Sequence, residues 1–440
     1  MIALLWSALV FFGGLGLASR ILPSQSSPTL RLAAAWPLGS TAVAWLMLSG
    51  LLGGLVLSPV LIWGSSIAVL LLLRPKDFEA LMMPLVIVVT MACVVWIAGP
   101  VTLSRWSEPW GEGDALTLWQ RRALAIDELG HLWRNPSEHA LGGYPHAISI
   151  MHLVGQKLGG DAGLATAKMF PWWSLFSIVA CFGAMWVEGA RRLPIALALA
   201  GTCLVPAMLH HLSTGYADVP FTAHVTLAVT LLLTTRSSWR LAILLGVVGG
   251  AAAMTKREGE ALVVAIMAAF AVEPALDPIG GSRLALRRFT TPLLVLGASL
   301  AMMAPEILTR WLYHAPWPAG LTTPSLARIP VALAALAADP ILVAMAIPLL
   351  GVVTVLPTVL LAPRELTRLA TGPVRAACIV VVGLALSYLI AILGSPMWVS
   401  VQVQTAGDRL LMHLLVPSMA ILIAATGPRH DSDPMARWNA

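Results

Sequence analysis

The chain has 440 residues, a formal net charge of +6, and only 11% charged residues against 58% hydrophobic ones; its mean hydropathy is +0.84. A soluble domain carries roughly twice that share of charge, so an ordinary water-soluble globule is excluded. No stripe of interleaved basic and aromatic residues marks a nucleic-acid binder, and the basic excess reads as a set of topology markers.

Taken in order, apolar runs lie near 2–18, 34–56, 59–73, 84–103, 166–189, 194–212, 221–235, 241–254, 261–272, 290–304, 341–361, 376–394 and 410–426. At the usual length needed to cross a bilayer, these give an all-α polytopic membrane protein with about 13 transmembrane helices. The first run has no positive n-region and more runs follow at once, so it reads as a retained helix rather than a secretory signal. Cys93, Cys181, Cys203 and Cys378 each fall inside an apolar run without CxxC spacing. They read as small buried side chains.

Arg191/Arg192, Arg236/Arg240, Arg283/Arg287/Arg288 and Arg364/Arg368/Arg375 alternate with loops poorer in basic residues. The positive-inside rule puts these clusters in the cytoplasm and the N-terminus outside. The loops 104–165, 213–220, 255–260, 305–328 and 395–409 then share the outer face. Runs 241–254 and 261–272 are short for full spans. They read as a bent hairpin whose tip dips below the surface; a single long helix with Lys256 to Glu260 at its centre is the competing reading.

The polar stretch Trp106–Lys157 stands out between apolar runs. Leu116, Trp119, Ala123, Ile126 and Trp133 recur at helical spacing, so a helix is expected along the membrane surface with Asp114 at its start. There the carboxylate is either a plain N-cap or a rigid, ionised group suited to a base or a cation site. Tyr144-Pro145-His146 precedes the next apolar segment, and Lys168 sits at that segment's mouth, either snorkelling or holding phosphate.

Further on, His210-His211 and Gly215-Tyr216-Ala217-Asp218 form one outer loop, where Asp218 is again a cap or a functional acid. Adjacent histidines point to different helix faces, which argues against a shared metal. Thr255-Lys256-Arg257-Glu258-Gly259-Glu260 interrupts the hairpin, and ionisable groups at that depth are costly and tend to be functional; the bland reading is a self-satisfied Lys–Glu pair. Asp408-Arg409 opens the last run, with His413 one turn beyond Arg409 on the same face.

The order Asp114-Ala115-Leu116 with Trp119, Tyr144-Pro145, Gly215-Tyr216-Ala217-Asp218, Thr255-Lys256-Arg257-Glu258-Gly259 and Asp408-Arg409-Leu410-Leu411 resembles the GT-C membrane glycosyltransferases. The similarity is to the branch with protein O-mannosyltransferases and lipid A aminoarabinose transferases, over roughly residues 106–425. It implies transfer of a sugar from a polyprenyl-phosphate donor to a glycan, lipid or protein acceptor, outside the cytoplasm, at a bacterial inner membrane. The family's first-loop Asp falls on Asp114 and its second-loop acid on Asp218. With Glu258 these are the candidate catalytic residues. Lys256, Arg409 and Lys168 are candidates for the donor phosphate, and Trp119, Arg122, Tyr144, His146, Tyr216 and His413 for substrate contact. A divalent cation is a possible cofactor.

Two departures stand out. Relatives often have Tyr-Pro-Pro where this chain has Tyr144-Pro145-His146, and many have one helix before the acidic loop where this chain has about four. The expected organisation is therefore residues 1–83 as added N-terminal helices, 84–426 as the GT-C-like region with outer loop 104–165, and 427–440 as a short cytoplasmic tail, with no soluble C-terminal domain. The rival function is a transporter or flippase that moves a lipid-linked sugar without chemistry.

Overall fold

A computed structural model describes residues 2–23, 26–81, 85–104, 119–129, 144–159, 167–188, 190, 192–214, 216–235, 238–272, 281–312, 324–361, 372–395 and 398–426. Asp114 and the tail 427–440 lie outside these residues. Among them the chain is helical with no strand. Six helices are long and apolar enough to cross a membrane, or up to eight if each of two bent pairs counts as one span.

The helices run α1 (Ile2–Ile21), α2 (Pro28–Leu52), α3 (Pro59–Leu70), α4 (Leu85–Ser104), α5 (Arg121–Leu129), α6 (Ala147–Gly159), α7 (Phe170–Val187), α8 (Arg192–Leu204) and α9 (Pro206–Thr214). They continue as α10 (Asp218–Thr234), α11 (Trp239–Thr255), α12 (Glu258–Val272), α13 (Gly281–Leu312), α14 (Ile329–Ala337), α15 (Pro340–Leu361), α16 (Gly372–Gly394) and α17 (Val399–Thr426). Large apolar side chains cover the outer surface, among them Val60, Trp96, Leu193, Phe289, Trp311, Ile347 and Trp398. A water-soluble protein rarely leaves so much exposed. This is the outside of an integral membrane protein.

The bundle is built around α10, whose residues from Asp218 to Leu232 are all buried. It packs against α2, α7, α11, α16 and α17. A helix with polar threonines fits this interior because their hydroxyls are satisfied locally. Thr222, Thr226 and Thr234 each donate to the carbonyl four residues earlier at 2.7–2.8 Å. The N-terminal helices join the same core: α2 also contacts α6, α11 and α13. The α1–α2 crossing is closest at Gly14 and Gly39, whose backbones meet so tightly that a Cβ on Gly14 would stand 1.9 Å from the Ala35 carbonyl oxygen.

α11 and α12 form the expected hairpin. Gly249 faces Val263, and Gly259 lies directly on the backbone of Ala252 and Ala253, which only a reversal of direction at Lys256 allows. Other expectations change. α13 continues past Pro305 to Leu312, where the sequence pointed to a loop. Proline lacks the N–H that would bond the carbonyl four residues back, and the Trp45 indole donates to that orphaned Ala301 oxygen at 3.3 Å, which keeps the helix continuous. The run 194–212 is two helices bent by 53° at Val205, and the unassigned stretch 326–337 is helical, turning 113° into α15. α17 starts at Val399, well before residue 410. Cys181, Cys203 and Cys378 are buried, but Cys93 is exposed, because α4 is peripheral and shows Val88, Val89 and Trp96 on its surface as well.

Gly259→Ala should drive a methyl group into the Ala253 nitrogen, 2.1 Å from the ideal Cβ. Overpacking of that kind costs about 1–3 kcal/mol. Gly297→Ala, with open space at its Cβ, should be neutral or stabilising by about 0.5–1 kcal/mol. Thermal unfolding of the two variants in detergent checks the contrast.

Candidate functional site

The start of α10 places Asp218 inside the bundle. Its carboxylate does not cap the helix: the N-cap is Ala217, and no side chain caps there. Instead Asp218 Oδ1 accepts from Lys256 Nζ at 2.6 Å and from His413 Nε2 at 3.1 Å. Lys256 stands at the α11–α12 reversal and also pairs with Glu258 at 3.1 Å. The cation is thus held between two carboxylates, so the self-satisfied Lys–Glu pair is only half of its environment.

His413 continues the chain. A carboxylate only accepts, so the Nε2–H of His413 donates to Asp218, and Nδ1 is left to accept from the Tyr388 hydroxyl at 2.9 Å. The ring also packs edge-on against Phe221 at 4.7 Å. Tyr388–His413–Asp218–Lys256–Glu258 is therefore a directed hydrogen-bonded line contributed by α16, α17, α10 and the hairpin turn. At its rim the Arg409 guanidinium lies over the Tyr216 ring at 5.7 Å, and Asp408 approaches His211 at 3.8 Å.

A second buried network lies on the other side of the same turn. Glu306 on α13 accepts from the His146 backbone N–H at 3.1 Å and from its Nδ1 at 2.8 Å. Glu306 also pairs with Arg310 at 3.4 Å, and Arg310 approaches Glu260 at 3.7 Å. Glu258 and Glu260 thus connect the two networks through one short segment. Burial pulls the His146 imidazole below its ordinary range, with the neighbouring Arg122 and Arg310 acting the same way and Glu306 opposing them.

The structure brings together Asp218, Lys256, Glu258, His413, Tyr216 and Arg409 from the sequence-derived set. Tyr388 and Glu306 were missed. Glu306 had a readable signal, a carboxylate four residues before Arg310 at the end of an apolar run. Tyr388 had none, being a lone phenol within an apolar helix.

Other residues take different places. Arg122 is buried and its guanidinium clamps the Tyr144 and Pro145 carbonyls, the latter at 3.0 Å. That is a brace for the turn before α6 rather than an open substrate contact. Trp119, Ala123 and Ile126 are buried as their spacing foretold, and Trp119 meets Tyr144 edge-on at 5.7 Å. Trp119, Ile148 and Ala217 form one small apolar cluster, which seats the first polar segment beside the start of α10. Lys168 is buried just before α7, and Lys256, not Lys168, is the cation against Asp218. Among the described residues no three His, Cys, Asp or Glu side chains gather as a metal set; Asp218 turns its oxygen to an ammonium and an imidazole instead.

Lys256→Met should leave two carboxylates without their cation and cost about 3–5 kcal/mol. The double variant Lys256→Met/Asp218→Asn should recover part of that loss, which denaturation of the two proteins and of Asp218→Asn alone measures. The His146 ring is held neutral in the fold, so its contribution to stability is complete above about pH 6.5 and fades as pH falls below that value. The midpoint of thermal unfolding should drop between pH 7.5 and 5.5, and drop less in His146→Gln. No family model, curated protein or solved structure matches this chain.

Proposed function

We propose that this protein transfers a sugar from a polyprenyl-phosphate donor to an acceptor hydroxyl at the outer face of the membrane. The observation that carries the reading is the meeting of Asp218, Lys256 and His413, brought from 38 and 195 residues apart into direct contact. Charged groups inside an apolar bundle are expensive, and natural proteins keep them mainly where they act. The motif order of the GT-C family, with its roughly 13 spans, supplies the reaction class. The span count, the GT-C arrangement, the outward orientation and the bacterial inner membrane all belong to this proposal.

In the proposed reaction the acceptor oxygen attacks the anomeric carbon as the carbon–oxygen bond to phosphate breaks. The configuration inverts, the prenyl phosphate leaves with the bonding pair, and the acceptor proton passes to a carboxylate. Asp114 is assigned that proton. Arg409, planar and at the rim over Tyr216, suits a forked grip on the leaving phosphate. Lys256 is already neutralised by Asp218 and Glu258, so its part is to fix the positions of those carboxylates and to lend residual positive field. The His413–Tyr388 pair orients Asp218 from behind.

Purified protein in detergent, supplied with a labelled polyprenyl-phosphate sugar and candidate acceptors, should release prenyl phosphate and form a glycoside. Asp114→Asn should lower the rate about 100-fold or more, and Arg409→Lys should lower it while leaving the unfolding midpoint near that of the parent. Movement of the donor across vesicles with no phosphate released would instead establish a flippase. Transfer by Asp114→Asn at the parent rate would remove the assigned base.

A further inference from the structure

A small cavity lies between α2, α6, α7, the start of α10 and the end of α11. The centre of a water molecule can reach about 30 Å³ of it. One internal water needs roughly 10–15 Å³ of such space, so the cavity has room for about two and for no larger ligand. It stands against the charge set. Tyr216 and Pro220, two residues to either side of Asp218, line it, and so does Thr255, next to Lys256.

Whether so small a space is wet depends on its walls. An apolar cavity stays dry, whereas a polar one that offers each water roughly two to four partners is filled. Here the walls offer both halves of a hydrogen bond. Ser40 donates its hydroxyl proton to the Trp36 carbonyl at 2.7 Å, Thr41 to the Pro37 carbonyl at 2.7 Å, and Thr255 to the Ala251 carbonyl at 2.9 Å. Those three oxygens keep lone pairs. So does His224 Nε2, because Nδ1 donates to the Pro220 carbonyl at 2.8 Å. The Tyr216 hydroxyl and the His152 ring belong to the same wall and can donate. A water molecule both donates and accepts, and it is small enough.

We infer that the cavity holds a pair of ordered waters, and that they ease the cost of seating the Asp218 and Lys256 charges in the bundle. Asp218 is 1% exposed and Lys256 8%, so bulk water hardly reaches either. Charges taken out of water carry a penalty of several kcal/mol each, and water that penetrates nearby reduces it. The cavity puts such water at the wall whose residues flank both charges. The inference makes no use of the transferase reading.

The test is radiolytic hydroxyl-radical labelling of the full-length protein in detergent, read by mass spectrometry. Internal water yields radicals where it sits. Met151 and Phe170, in the cavity wall, should therefore be labelled well above Met47 and Phe182, which are also buried and lie outside that wall. Ser174→Val, which adds volume to the wall, and Thr41→Val, which removes an oxygen at nearly constant shape, should each lose most of the label at Met151. Each should also lower the unfolding midpoint more in the parent than in Asp218→Asn/Lys256→Met, where the two charges are gone. Labelling of Met151 and Phe170 no faster than of Met47 and Phe182 would make the cavity dry and overturn the proposal. Labelling that ignores both variants would come from bulk water and overturn it as well. Label lost in the variants, with equal midpoint shifts in the two backgrounds, would overturn the link to the charges.

Discussion

A lysine ammonium enclosed by two carboxylates inside an apolar bundle is the interaction on which the rest of this structure depends. Lys256 meets Asp218 and Glu258 at 2.6 and 3.1 Å, and the three belong to two elements that the chain connects only through α11. In lipid-like surroundings none of these charges is tolerable alone. Each therefore fixes the position of the others: the hairpin turn must lie against the start of α10, and α17 must bring His413 to the remaining side. Packing alone would permit small slides of one helix along another. The charge set permits one register.

The turn that carries Lys256 is short because glycine makes it so. With Gly259 on the backbone of Ala252 and Ala253, α12 starts close under the end of α11, and Glu258 and Glu260 follow within a single helical turn. One carboxylate joins the Asp218 line and the other reaches Arg310 and, through it, Glu306 and His146. The two networks are thus mechanically one. The brace of Arg122 on the Tyr144 and Pro145 carbonyls continues that connection into the segment that holds Trp119, beside the start of α10.

Much of this was legible in the sequence, for physical reasons that can be named. Apolar runs long enough to span lipid mark helices whatever their partners, so α1, α2, α7 and α16 could be placed from hydropathy. Charges interrupting such runs are rare enough to be conspicuous, and Lys256 and Glu258 were singled out on that ground; Asp218 and Arg409 stood out at the mouths of runs and in the motif order, and His413 by sharing a helix face with Arg409. What the sequence did not disclose is pairing. Nothing in the neighbourhood of Tyr388 distinguishes a phenol that hydrogen-bonds a histidine 25 residues on from one that faces lipid. The continuation of α13 through Pro305 was equally hidden, since the indole that repairs the broken hydrogen bond comes from Trp45, 256 residues away. Helix ends and bends in a bundle are decided by such distant groups, and local propensity has no access to them.

The position of α2 changes how the N-terminal helices should be understood. Read by motif order, they precede the part of the chain that resembles a known family and look like an appendage. In the bundle α2 lies against α6, α7, α11 and α13, and supplies Thr41 to meet His224 across 183 residues. An appendage that merely anchored the protein would have no reason to keep the Thr41 hydroxyl on its inner face, where valine packs as well. It stands at a wall shared with Tyr216 and Thr255, so α2 is part of the polar interior of the bundle. On the transferase proposal the Asp218–Lys256–His413 line marks the reaction centre, and α2 lies within the bundle that surrounds it.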